Sequence, residues 1–173
     1  MRSFKAVLAP ALCVVLAAGP IESATTAVSM SLSSFCVMAV TSNLVSLIVS
    51  NPGTPGKVPD NPVNGSTYLQ YSSTVASGVS RRITAAWSTG NSAPTGCFLL
   101  LTAAPGSGQG SSAGQITVSA TAQNILTGIK GCATGTSATS GVQLSYLLSI
   151  AAMTSLVANE NKTAVITFTL TDS

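Results

Sequence analysis

The chain has 173 residues, only 6% of them charged, and a formal net charge of +3. Soluble domains usually carry about 25% charged residues, so Ser, Thr, Gly and Ala must supply most of this surface. Arg81 and Arg82 are the one adjacent basic pair, which is too little to neutralise a run of phosphates, and nucleic acid is excluded as an expected partner. The mean hydropathy of +0.50 does not imply a spanning helix after the N-terminal region. No later uncharged apolar stretch reaches the ~20 residues a bilayer requires.

Arg2 and Lys5 precede an apolar run over residues 6–18 that Gly19 and Pro20 end. This pattern predicts a secretory signal peptide over residues 1–23, with Ser23, Ala24 and Ala27 as candidate cleavage positions and a mature start between Ala18 and Val28. Cys13 lies inside the apolar run without a lipobox-like context and is expected to leave with the signal. Residues 24–173 are then expected to form one domain, secreted or held at the cell surface.

Export permits oxidation of the remaining Cys36, Cys97 and Cys132. Cys97 and Cys132 each stand at the edge of a turn signal and are expected to form a disulfide, contributing about 3–4 kcal/mol. Cys36 sits in an alternating apolar run and reads as a small buried hydrophobe; a bridge from Cys36 to either of the others is the alternative. Without a CxxC pair or any histidine, no zinc site is expected.

Along the mature chain the dominant hydrophobic period is two. Val28, Met30, Leu32, Cys36, Met38 and Val40 alternate with serines and Thr41, predicting a long first strand, and residues 44–49 are apolar on both faces, as in a central strand. Residues 51–65 are saturated with Pro, Gly and Asn and predict a loop. Further strands are predicted over residues 67–75, 81–87, 97–103, 116–120, 125–129, 143–150 and 164–171, with one helical turn within 151–157. About eight such strands, bounded by turn signals, indicate an all-β, immunoglobulin-like antiparallel sandwich.

Candidate chemistry is sparse. Gly110-Ser-Ser-Ala-Gly114 matches the G-x-S-x-G pattern, but a nucleophile elbow needs a strand-to-helix turn and a histidine base. Of the acids, Asp60 falls in the Pro-rich loop and Glu160 and Asp172 near the end of the sequence; each reads as a solvated charge, not as half of a catalytic pair. No acidic cluster suggests calcium, and the Gly-rich stretch 106–114 lacks the Gly-Lys-Ser/Thr of a phosphate loop. No enzyme activity, cofactor or metal is expected.

The series Tyr68-Leu-Gln-Tyr-Ser-Ser, Ser80-Arg-Arg-Ile-Thr-Ala, Pro94-Thr-Gly-Cys-Phe-Leu-Leu-Leu-Thr-Ala, Leu126-Thr-Gly-Ile-Lys-Gly-Cys-Ala-Thr-Gly, Leu144-Ser-Tyr and Ala164-Val-Ile-Thr-Phe-Thr-Leu-Thr-Asp occurs in that order. From Tyr68 onward the chain resembles a group of exported bacterial β-sandwich proteins, similar in style to fimbrial and spore-coat-type surface subunits. Chaperone–usher pilins are a looser likeness, since they carry a penultimate tyrosine where this chain has Asp172, and a cysteine partner that Cys36 lacks nearby. The resemblance implies a structural role in a surface filament, fimbria or coat, with copies of itself or other surface subunits as partners. Val28, Met30 and Leu32 are the candidate donor strand for such assembly. The alternative is a secreted monomeric binding module for a glycan or protein, using Tyr68, Tyr71, Trp87 and Tyr146 as candidate aromatics. Trp87 and Tyr146 also fall in phase with core positions.

Overall fold

The computed structural model describes residues 25–42 and 44–173, so the expected signal peptide, residues 1–23, lies outside the described residues. The chain divides into two units, Met1–Ser31 and Leu32–Ser173. In the first, residues 25–31 carry no helix or strand and are exposed. The long first strand expected from residue 28 is thus shorter than its hydrophobic period suggests.

The second unit contains β1 (Phe35–Val40), β2 (Val63–Thr74), β3 (Arg81–Trp87), β4 (Cys97–Ala104), β5 (Ser111–Ser112), β6 (Gln115–Thr117), β7 (Gln123–Ile129), β8 (Cys132–Ala133), β9 (Val142–Ile150) and β10 (Ile166–Asp172), with a 3-10 turn at Met153–Ser155. The chain is therefore nearly all-β. One sheet runs β1-β2-β9-β4-β6, with β8 also beside β2; the other runs β10-β3-β7-β5. Every pairing is antiparallel.

Alternation along the strands sends one set of side chains inward from each sheet. Leu69 and Tyr71 from β2, Leu99 and Leu101 from β4, and Leu144 and Tyr146 from β9 meet Ile83 and Ala85 from β3 and Ile125, Leu126 and Ile129 from β7 in one core. The opposite faces carry Tyr68, Gln70 and Ser72 on β2 and Thr167, Thr169 and Thr171 on β10. This two-sheet, β-sandwich-like arrangement explains how a sequence so poor in charge folds without a helical layer: inward apolar residues are matched by outward hydroxyls.

Residues 44–50 depart from expectation. They form no strand, although their side chains alternate between exposed and half-buried, and Val45 and Leu47 pack against the core. The apolar residues of the other face, Leu44 and Ile48, stand in solvent. A segment apolar on both faces here lies at the side of the sheets rather than at their centre. The loop of residues 51–65 ends earlier than its turn formers suggest, because β2 already begins at Val63 and absorbs its irregularity as a register shift between Asn64 and Thr67.

Candidate functional site

Two edge strands define the open side of the sandwich-like body. β1 edges one sheet and β10 the other, and the Arg81 guanidinium reaches both, donating to the Phe35 carbonyl and to the Asp172 carboxylate. Inward-facing positions on these edges have neighbours on only one side. Met38 on β1 and Ile166, Phe168 and Leu170 on β10 are accordingly only partly buried against the core.

Beyond the Arg81 end, the space between the edges widens into an apolar groove of about 440 Å³. Its floor is built by Leu99, Tyr146 and Leu148 from one sheet and its wall by Trp87, Ile166 and Phe168 from the other. Leu44, Val45 and Leu47 border it, and Lys162 stands at one end. Lys162 is already engaged, its Nζ donating to Ser92 Oγ at 2.8 Å and lying 3.8 Å from Glu160. The Tyr146 phenol is pushed up to about 12 by burial. The groove therefore has an apolar, neutral interior beside the open backbone edge of β10.

The sequence-selected aromatics do not converge. Trp87 and Tyr146 line the groove, Tyr71 is buried in the core with its hydroxyl donating to the Gln109 carbonyl, and Tyr68 lies on the outward face of β2. A single platform of Tyr68, Tyr71 and Trp87 does not form, because Tyr68 and Tyr71, three residues apart on β2, point to opposite faces of the sheet, Tyr71 into the core and Tyr68 away from it.

The candidate donor residues stand free, with Val28 70%, Met30 87% and Leu32 83% exposed. None belongs to a strand.

The cysteines also differ from expectation. All three thiols are free. Cys97 sits opposite Ile150 on β9, whose Leu147 already faces the first residue of β2, Val63, while Cys132 faces Ser73 near the other end of β2. The stretch of β2 from Val63 to Ser73 alone covers roughly 30 Å at about 3.3 Å per residue, whereas a disulfide tolerates Cα atoms about 7 Å apart at most. Cys97 and Cys132 are therefore held at opposite ends of one sheet. Cys36 flanks Ser73 on the other side from Cys132, two strand spacings or roughly 10 Å away, and it is exposed rather than buried.

The G-x-S-x-G segment has no elbow geometry. Ser111–Ser112 forms the edge strand β5 against β7, and the Ser112 hydroxyl donates to the Ala103 carbonyl at 2.7 Å. Gly110 is explained by packing: at φ +89° it lies where a Cβ would come within 2.8 Å of Ile129 Cγ1 and 2.9 Å of the Thr127 carbonyl oxygen. The acids are dispersed as well, Asp60 with Lys57 at 3.0 Å, Glu160 with Lys162, and Asp172 with Arg81 at 2.7 Å. Among the described residues no helix is long and apolar enough to cross a membrane.

The groove was missed by the sequence reading because its lining is drawn from residues 40 to 168, and every one of those apolar side chains also reads as core. One signal did exist, the apolar character of residues 44–49 on both faces. No protein-family model matches the chain, no curated protein matches it, and no solved structure matches it.

Proposed function

We propose that this chain is an exported, non-enzymatic structural subunit of an extracellular filament, fimbria or coat. In this reading the body is an immunoglobulin-like sandwich with one open side, and subunits join by strand addition. The segment containing Val28, Met30 and Leu32 from one copy enters the groove of a second copy and pairs with the free edge of β10.

The exposure of those three side chains carries the reading. Large apolar residues at period two, standing in water on residues that join no ladder, match a groove lined by Trp87, Ile166 and Phe168. A β-strand contributes affinity through its backbone bonds and specificity through alternate side chains. The segment carries no charge from residue 25 to 34, so entering an apolar groove incurs no ionic desolvation.

A truncation tests it. Removing the chain through Ser34 leaves β1 to β10 intact, so the product is expected to keep its β-sheet circular dichroism and to sediment as a monomer, while the exported parent chain forms polymers visible by electron microscopy. A folded truncation that still polymerises would overturn strand donation. A parent chain that is itself a stable monomer would favour the second reading, a secreted module binding a glycan or protein at the same groove, where Trp87 is the aromatic within reach.

A further inference from the structure

We propose that residues 44–50 are a strap that covers the acceptor groove within each isolated subunit and must be displaced before a strand from a second copy can pair with β10. This inference rests on the strand-addition reading above and adds a regulation of that site.

The strap covers the groove without completing the sheet. Val45 and Leu47 point inward and pack against the core, and with Leu44 they border the groove beside Trp87, Ile166 and Phe168. Its backbone, by contrast, joins no ladder. The local contacts present are between Ser42 and Leu44, where the Ser42 hydroxyl donates to the Leu44 carbonyl at 3.0 Å and accepts from its N–H at 3.4 Å. Among the described residues, no backbone hydrogen bond ties residues 45–50 to β10 or to β1.

β10 for its part is paired with β3 on one edge and is the last strand of its sheet on the other. A cover that leaves both its own amides and those of β10 to water is held by inward side chains alone, Val45 and Leu47 against the core and Val49 half-buried in phase with them. An entering strand offers the same apolar contacts and also pairs the free backbone edge, so it outcompetes the strap. The strap is joined to β2 through the Pro- and Gly-rich residues 51–62, a long connection that lets it leave the groove without disturbing a strand. Its value to a subunit is that an apolar groove beside an open edge is shielded from indiscriminate pairing until a matched strand arrives.

The strap lowers the apparent affinity for a donor by the fraction of time the groove is uncovered. The probe is a synthetic peptide of residues 25–34, titrated into the exported full chain carrying Val28→Ser, Met30→Ser and Leu32→Ser, the parent chain of this test, so that no copy's own segment already fills the groove. Trp87 is the single tryptophan of the protein and lines the groove, so its emission reports entry directly. In the double variant Val45→Ser with Leu47→Ser, the peptide is expected to saturate the Trp87 signal at about tenfold lower concentration than in the parent chain. Ile48→Ser, on the exposed face, is expected to match the parent. Equal or weaker binding by the double variant overturns the strap, as does an Ile48→Ser effect of the same size. Loss of β-sheet circular dichroism in the double variant also overturns it, since residues 44–50 would then be an integral part of the core. If the peptide binds neither folded protein, it is the strand-addition reading that fails, and the strap falls with it.

Discussion

Arg81 Nε donates to Asp172 Oδ1 at 2.7 Å, joining a side chain that is 7% exposed to one that is 68% exposed. The same guanidinium donates to the Phe35 carbonyl and, at 3.3 Å, to Ser73 Oγ. One residue on β3 thereby ties down the first residue of β1, a residue of β2 and the last residue of β10, and closes the open side of the body at this end. Its neighbour Arg82 points outward, as alternation requires.

Removing the clamp is expected to be costly in proportion to what is left buried. Asp172→Asn should destabilise by about 1 kcal/mol, since the carboxylate is largely in water. Arg81→Ala should destabilise by about 3 kcal/mol, because it also orphans the Phe35 carbonyl and empties a buried site. Urea midpoints at constant slope check both values. Equal effects of the two substitutions would show that the ion pair alone matters.

Thr67 is 1% exposed, and its hydroxyl has no hydrogen-bond partner among the described residues. Its place beside the register shift of β2 explains the lapse, since the ladder is irregular between Asn64 and Thr67. Thr67→Val keeps the shape and removes the unpaired oxygen, so it is expected to stabilise the protein by about 1 kcal/mol. A lower thermal midpoint for this variant would contradict that account.

The thiols are expected to react in a fixed order. Burial raises the Cys132 thiol, and burial together with the Glu160 charge raises Cys97, so both present less thiolate than an ordinary cysteine at neutral pH. Cys36 is exposed on the edge strand β1. A thiol reagent added to the native protein should modify Cys36 first, followed slowly by the other two. Recovery of a Cys97–Cys132 peptide under non-reducing conditions would contradict the register described above.

Alkali should unfold the protein in a narrow window. Burial holds the Tyr146 phenol at about 12 and, with a smaller contribution from Cys132, raises Tyr71 in the same direction, while tyrosines of an unfolded chain ionise near ~10. Below about pH 10 both states keep their protons and stability is unaffected. Between about 10 and 12 only the unfolded chain releases them, so stability falls as pH rises. Urea unfolding at a series of pH values, with tyrosinate absorbance followed in parallel, checks this; a flat stability to pH 12 would rule it out.

Period and turn chemistry made much of the body legible in the sequence. Ile83, Ala85 and Trp87, or Leu144, Tyr146 and Leu148, fall on one side of a strand whatever lies next to them, and the inward positions of β3 and β9 follow from that alone. The 3-10 turn at Met153–Ser155 likewise falls inside the stretch expected to turn. Period failed where a segment has the pattern of a strand and no partner. Residues 28–34 alternate as cleanly as β10 does, yet only β10 has a ladder, because ladder bonds are made with another part of the chain and leave no mark on local composition.

The same reason separates the cysteines and assembles the groove. Cys97 and Cys132 each border a turn signal, but the order β2-β9-β4 and the register of those strands put them at opposite ends of a sheet. Strand order also sets β1 and β10 on one open side, where apolar residues that read as core become the lining of a groove. The sequence by itself determined the all-β class and which side chains face inward, since both depend on spacing along one strand. Only the tertiary structure decided which strands stand at an edge, because an edge is defined by the absence of a neighbour.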